Sequence, residues 1–119
     1  MAALTVQEFD IDGTAITTTA AAGGGDTFAN DASTRTFFKV VNGGGGQITV
    51  TFTTQLTQAE TLTLGTVDLD NKSVTVDAGV TKYFGPFNGK RWNNASGAVA
   101  VSYSGVTNVT VAAIKMGMP

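Results

Sequence analysis

The chain has 119 residues, of which 42% are apolar and only 13% charged, with no cysteine, no histidine and a formal net charge of -2. That length suits one domain with a sizeable core. The missing thiols and imidazoles exclude a disulfide framework, a thiol nucleophile, Ser-His-Asp catalysis and histidine metal sites.

A charged fraction well below the roughly 25% of average soluble proteins predicts that part of the surface faces other protein. The acidic balance, with Lys90-Arg91 as the one basic pair, speaks against a nucleic-acid partner. The opening stretch "MAALTVQEFDIDG" lacks a basic leader and meets Glu8, Asp10 and Asp12 early, so it does not read as a secretory signal. No run approaches the ~18 apolar residues of a membrane span. These features predict a soluble protein assembled in the cytoplasm.

Residues 1–34 contain "LTVQEF" and "AITTT", followed by "AAAGGGD", which resembles a flexible linker. This segment is expected to be an extended N-terminal arm, with at most a short strand, hinged at Gly23–Gly25. From residue 35 to 119 the period is two almost throughout. Ile48, Val50 and Phe52 alternate with threonines, and Val74 and Val76, Val99, Val101 and Tyr103, and Val109, Val111 and Ala113 continue the pattern. Such alternation marks half-buried strands, and threonine, roughly one residue in six, suits a pleated surface. Strands are predicted near 35–42, 47–54, 60–65, 72–77, 80–85, 98–104 and 107–115, separated by Gly-, Asn- and Asp-rich turns. The fold class is all-β: an antiparallel β-sandwich or small β-barrel at 35–119 carrying the 1–34 arm.

The run "NGGGGQ" raises the question of phosphate binding. A phosphate loop needs a lysine and a following helix, whereas "QITVTF" after Gly46 is a strand without lysine. The glycines are therefore expected to close a hairpin of four or five residues. "DIDGT" at Asp10 and Asp12 and "DLDNK" at Asp68 and Asp70 begin like calcium loops but lack the later ligands. Carboxylates in such turns usually bond their own backbone. No catalytic, cofactor or metal site is predicted, and the chain does not read as an enzyme.

The densest aromatic stretch is "KYFGPFNGKRWNN". Its rings either cap one end of the core or form a recognition patch, since aromatics and Arg dominate binding hot spots. Phe87, Lys90, Arg91 and Trp92 are the candidate partner-binding residues.

The run from "TFFKVVNGGGGQITVTFTT" through "NKSVTVDAGVTKYFGPFNGKRWNNASGAVAVSYSGVTNVTVAAIKM" resembles small capsid decoration, or cement, proteins of tailed bacteriophages. In those proteins, as here, "VxVxAG" precedes "GPF" and a "VSYS.VT.VTVAA" ending, and the resemblance spans roughly residues 35–116. It implies a β-sandwich or barrel module without cofactor or catalysis. Such a module binds the major capsid protein on the outer surface of the expanded head and stabilises the virion shell. Homo-oligomers, most commonly trimers, are also what the resemblance implies, while the charge balance and hydropathy above leave neither nucleic acid nor membrane as the expected partner. An alternative from another class is a carbohydrate-binding or adhesion module of a phage tail or fibre.

Overall fold

The computed structural model describes residues 2–30, 35–55, 58–61, 65–68 and 70–116. The strands are β1 (Ala2–Leu4), β2 (Val6–Phe9), β3 (Thr19–Ala20), β4 (Asp26–Ala29), β5 (Thr36–Asn42), β6 (Ile48–Phe52), β7 (Gln58–Thr61), β8 (Gly65–Asp68), β9 (Lys72–Val76), β10 (Thr81–Phe84), β11 (Ala98–Tyr103) and β12 (Val109–Met116). One helical turn, α1 (Gly89–Trp92), is the only helix among the described residues. A first, five-stranded sheet runs β1-β4-β11-β6-β9, a second runs β10-β5-β12-β2 with β3 also on β12, and β7 pairs with β8. The two larger sheets pack face to face as an all-β sandwich. Its ladders are antiparallel except where β1 runs parallel to β4 and β2 parallel to β12. The strand expected at 60–65 resolves into β7 and β8, and residues 62–64 lie outside the described set.

The inward sets follow from the alternation. Ile48, Val50 and Phe52 of β6, Val99 and Val101 of β11, Phe38 and Val40 of β5, and Val109, Val111 and Ala113 of β12 are all buried. Rings join the two sheets: Phe28 of β4 stacks on Phe38 of β5 at 5.0 Å, and Phe52 of β6 meets Phe84 of β10 at 5.1 Å. Each buried ring or branched chain contributes about 1.5–3 kcal/mol by leaving water. The outward sets differ between sheets. On the first, Thr49 pairs with Thr75, Thr51 with Ser73 and Ser102, and Ala100 with Thr27, a small uncharged surface. On the second, Phe37, Lys39 and Val41 of β5 lie beside Tyr83 and Thr81 of β10, and Tyr83 is 64% exposed.

The glycine run corrects an expectation. Gly43–Gly46 do not close a hairpin, because β5 belongs to the second sheet and β6 to the first. The run is a corner that carries the chain from one sheet to the other. None of the four glycines takes a left-handed φ; close approach is what demands glycine at the first two. A Cβ on Gly43 would stand 3.0 Å from the Asn108 carbonyl oxygen, and one on Gly44 would stand 2.9 Å from that of Thr107. Asn42, buried at the end of β5, organises the corner. Its Nδ2 donates to the carbonyls of Gly46 (2.8 Å) and Val76 (3.0 Å), and its Oδ1 accepts from the Gly44 N–H (3.1 Å).

The arm expected over 1–34 is also corrected. β1 extends the first sheet beside β4, β2 and β3 flank β12 in the second, and β4 is an interior strand between β1 and β11. The stretch read as a linker is packed at both ends around an exposed Gly23–Gly24: Ala21, Gly25 and Asp26 are buried, and Ala21 N–H donates to the Val109 carbonyl at 3.0 Å. Gly25 is no hinge. Its φ is +94°, and an added Cβ would lie 2.7 Å from the Val101 carbonyl oxygen. Small residues here serve contact between backbones, which composition cannot distinguish from looseness. The final residues of the expected arm, 31–34, lie outside the described set.

Fully buried Asp26 accepts hydrogen bonds on Oδ2 from the Tyr103 hydroxyl (2.7 Å) and the Ala22 N–H (3.3 Å). Burial, followed by the Asp26 hydrogen bond and the Asp26 charge, pushes the Tyr103 phenol far above its ordinary value of 10.0. A phenol raised in the folded state contributes stability that is complete below its unfolded pKa and declines as pH rises past it. We therefore expect unfolding free energy to fall above about pH 10, the ordinary tyrosine value, with part of that slope absent in Tyr103→Phe. Denaturant titrations along a pH series, read against phenolate absorbance, measure it; equal slopes in the two proteins would refute the coupling.

Candidate functional site

One end of the sandwich gathers the aromatic stretch, and the local sequence explains its shape. Gly85, at φ +124°, precedes Pro86 across a cis peptide bond and turns the chain off β10. Asn88 then starts α1, its carbonyl accepting from the N–H groups of Arg91 (3.2 Å) and Trp92 (3.0 Å). Asn30, 2% exposed at the end of β4, ties this loop down. Its Nδ2 donates to the Phe87 carbonyl (3.1 Å) and Asn93 Oδ1 (2.7 Å), while Asn93 Nδ2 returns a bond to the Asn30 carbonyl (2.6 Å). Asn94 closes the next turn by accepting from Ser96 and Ala98 N–H groups (2.8 and 3.1 Å). The loop is thus rigidly mounted on the first sheet.

The candidate residues occupy different places in this mount. Phe87 is 5% exposed and belongs to the core, with its ring 5.4 Å from Phe28 and 5.2 Å from Phe52. It supports the surface from beneath and offers little to a partner. Trp92 is half-buried, edge-on to Phe87 at 6.5 Å. The Arg91 guanidinium lies 4.5 Å from the Trp92 ring centroid and donates from Nη2 to the Asp70 carbonyl at 3.0 Å. Arg91 is thereby held as a fixed cation against an aromatic face, an attraction worth about 0.5–1 kcal/mol where partly exposed. Lys90 lies within α1, and its side chain falls outside what is described.

Trp92 opens onto a shallow groove of about 170 Å³ between the edge strands β9 and β10, floored by Phe52, Val74, Phe84 and Pro86, with Lys72 on its rim. Sequence reading picked out Trp92 and Arg91 but missed Lys72 and Val74, which join the site only because β9 and β10 are edges of facing sheets. Outside the groove, Lys82 of β10 reaches across to β9, its Nζ donating to the Thr75 carbonyl at 2.8 Å. Inward-turned lysine on an edge strand hinders edge-to-edge pairing.

This arrangement is suited to binding. An apolar floor with Lys72 at its rim, and Arg91 held against the Trp92 that walls it, can take an apolar side chain flanked by acids. Among the described residues no group of three or more Asp or Glu is placed to hold a metal ion. Asp10, which opens one calcium-like stretch, accepts the Asp12 N–H on Oδ1 at 3.0 Å, the backbone bond expected of a turn carboxylate. Comparison with protein-family models, with curated proteins and with solved structures finds no match to this chain.

Proposed function

We propose that this protein is a capsid decoration protein of a tailed bacteriophage, binding the outer surface of the expanded head as a homo-oligomer and stabilising the shell without cofactor or catalysis. One observation carries the reading: the residues that resemble cement proteins are those that build this framework. "VTV" lies in β9, "DAG" in the turn where Gly79 takes φ +76°, "GPF" at the cis peptide, and "VTVAA" in β12. Their backbone groups hold the turns and sheets together, as in Val80 N–H to the Asp77 carbonyl and the β12 ladder to β5. The outward face of the second sheet, with Tyr83, Phe37 and Val41, offers the apolar contact such a role needs.

The test is binding to DNA-free expanded heads. Binding should saturate, raise the temperature at which heads come apart, and change less than about tenfold between low and moderate salt. A partner held by several phosphate contacts would lose orders of magnitude over that range. Tyr83→Ser, at an exposed ring, should weaken binding by about 1–2 kcal/mol, the scale of a moderate interface contact, with unchanged cooperative unfolding. Heads that take up no protein, alongside saturable binding to a polysaccharide, would transfer the assignment to a tail or fibre module.

A further inference from the structure

The loop after β2 presents the most exposed large apolar side chain described in this molecule. Ile11 is 101% exposed, and it stands between Asp10 and Asp12. An isolated exposed apolar residue is ordinary, but this one is held out on a fixed turn. Gly13 N–H donates to the Asp10 carbonyl (3.1 Å), Gly13 takes φ +84°, and Asp12 N–H donates to Asp10 Oδ1 (3.0 Å). Beyond the turn the chain is pinned back on β2, where Gln7 Nε2 donates to the Thr17 carbonyl (2.7 Å) and Gln7 Oε1 accepts the Thr17 N–H (2.9 Å). The result is an apolar peg with an acidic collar.

Across the molecule lies its chemical complement. The β9–β10 groove has an apolar floor and Lys72 on its rim, and the Arg91 guanidinium, outside the lining itself, is fixed against its Trp92 wall. At about 170 Å³ it suits one branched side chain better than a drug-sized ligand, for which pockets run roughly 300–1,000 Å³. The peg cannot serve its own groove. β2 and β10 are opposite edges of the second sheet, with β12 and β5 between them. Three strand spacings put them roughly 14 Å apart, while the peg turn spans only Asp10 to Gly13.

We propose that the Asp10–Ile11–Asp12 turn of one copy seats in the β9–β10 groove of a second copy, Ile11 on the apolar floor and the acids toward Lys72 and Arg91. Peg and groove are different surfaces, so the contact is head-to-tail and propagates from copy to copy, closing a ring where the rotation allows. It joins the lateral edges and leaves the outward face of the second sheet uncovered. The inference deepens the homo-oligomer proposed above, yet its test contains no heads, so its failure and that of shell binding are separately visible.

Sedimentation of the whole protein over a concentration series supplies the test. The native chain should assemble reversibly. Ile11→Ser should weaken assembly at least ~10-fold, as loss of a central apolar anchor does, and Asp12→Lys should weaken it comparably by setting like charges together. Combining Asp12→Lys with Lys72→Asp should restore the native dissociation constant to within about threefold, since both partners of the pair are then exchanged. All these positions are exposed, and matching thermal transitions would establish that each variant is folded. A native chain that stays monomeric at every concentration, an assembly indifferent to Ile11→Ser, or charge exchange without rescue would each overturn the proposal. So would saturation of the groove by a free oligosaccharide while assembly persists.

Discussion

Gly25→Ala should lower the unfolding free energy by about 3 kcal/mol or more. Two costs combine. A left-handed φ costs a residue with Cβ about 1–2 kcal/mol, and Gly25 stands at +94°. The new methyl would also lie 2.7 Å from the Val101 carbonyl oxygen, a backbone atom of a central strand. Relieving that overlap requires shifting β11 against β4, a change in the range of about 1–3 kcal/mol for overpacked interiors. Gly23→Ala is the control. An added Cβ there meets nothing within 4 Å and no left-handed φ opposes it. Its effect should be neutral or stabilising by a few tenths of a kcal/mol, through a less flexible unfolded chain. Denaturant midpoints at constant slope measure both, and a Gly25→Ala loss below about 1 kcal/mol would mean that this segment yields like a hinge after all.

Asn42→Ala should cost about 3 kcal/mol. The side chain is 1% exposed and bonds to Gly46, Val76 and Gly44, so truncation strands two carbonyls and an N–H in the corner between the sheets. A buried group that loses its partner costs about 1–3 kcal/mol. Asn42→Asp should be worse at neutral pH, because a carboxylate would face the Gly46 and Val76 carbonyls, and should recover in acid as the protonated group donates again. A loss under about 1 kcal/mol in Asn42→Ala would show that water replaces the amide without penalty, and that the corner is held by other contacts.

Both positions mark where sequence reading stopped. Alternation at Ile48, Val50 and Phe52, or at Val109, Val111 and Ala113, reports which side chains share a face, and those faces are the buried ones. It does not report which strand lies alongside. β5 and β6 look like hairpin partners across "NGGGGQ", yet they sit in different sheets, and β5 pairs instead with β12 over seven residue positions, Val109↔Asn42 to Lys115↔Thr36. The buried polar residues Asn30, Asn42 and Asp26 carry no local signal, since Asn and Asp are ordinary turn residues until a distant strand covers them. At the candidate site, the cluster around Trp92 was legible from its aromatic density. Its division into a core ring at Phe87 and a groove wall at Trp92 was not, because it depends on the Asn30 anchor, which lies 57 and 63 residues before the Phe87 and Asn93 it bonds.

The place of β12 bears on how the protein is made. It is an interior strand of its sheet, flanked by β5 along one side and by β2 and β3 along the other. On the ribosome, β5 is complete at Asn42 but must wait 67 residues (109 minus 42) before β12 begins to emerge. At roughly 5–20 residues per second that interval is about 3–13 seconds. During it the β12 side of β5 stays unpaired, with β10 arriving on the other side only at Thr81, and short β-rich apolar windows left bare are aggregation hazards. Polar residues break those windows, Lys39 between Phe38 and Val40 in β5 and Thr49 and Thr51 at alternate positions in β6. Their value is then greatest in nascent chains crowded on a busy message, before any sandwich exists.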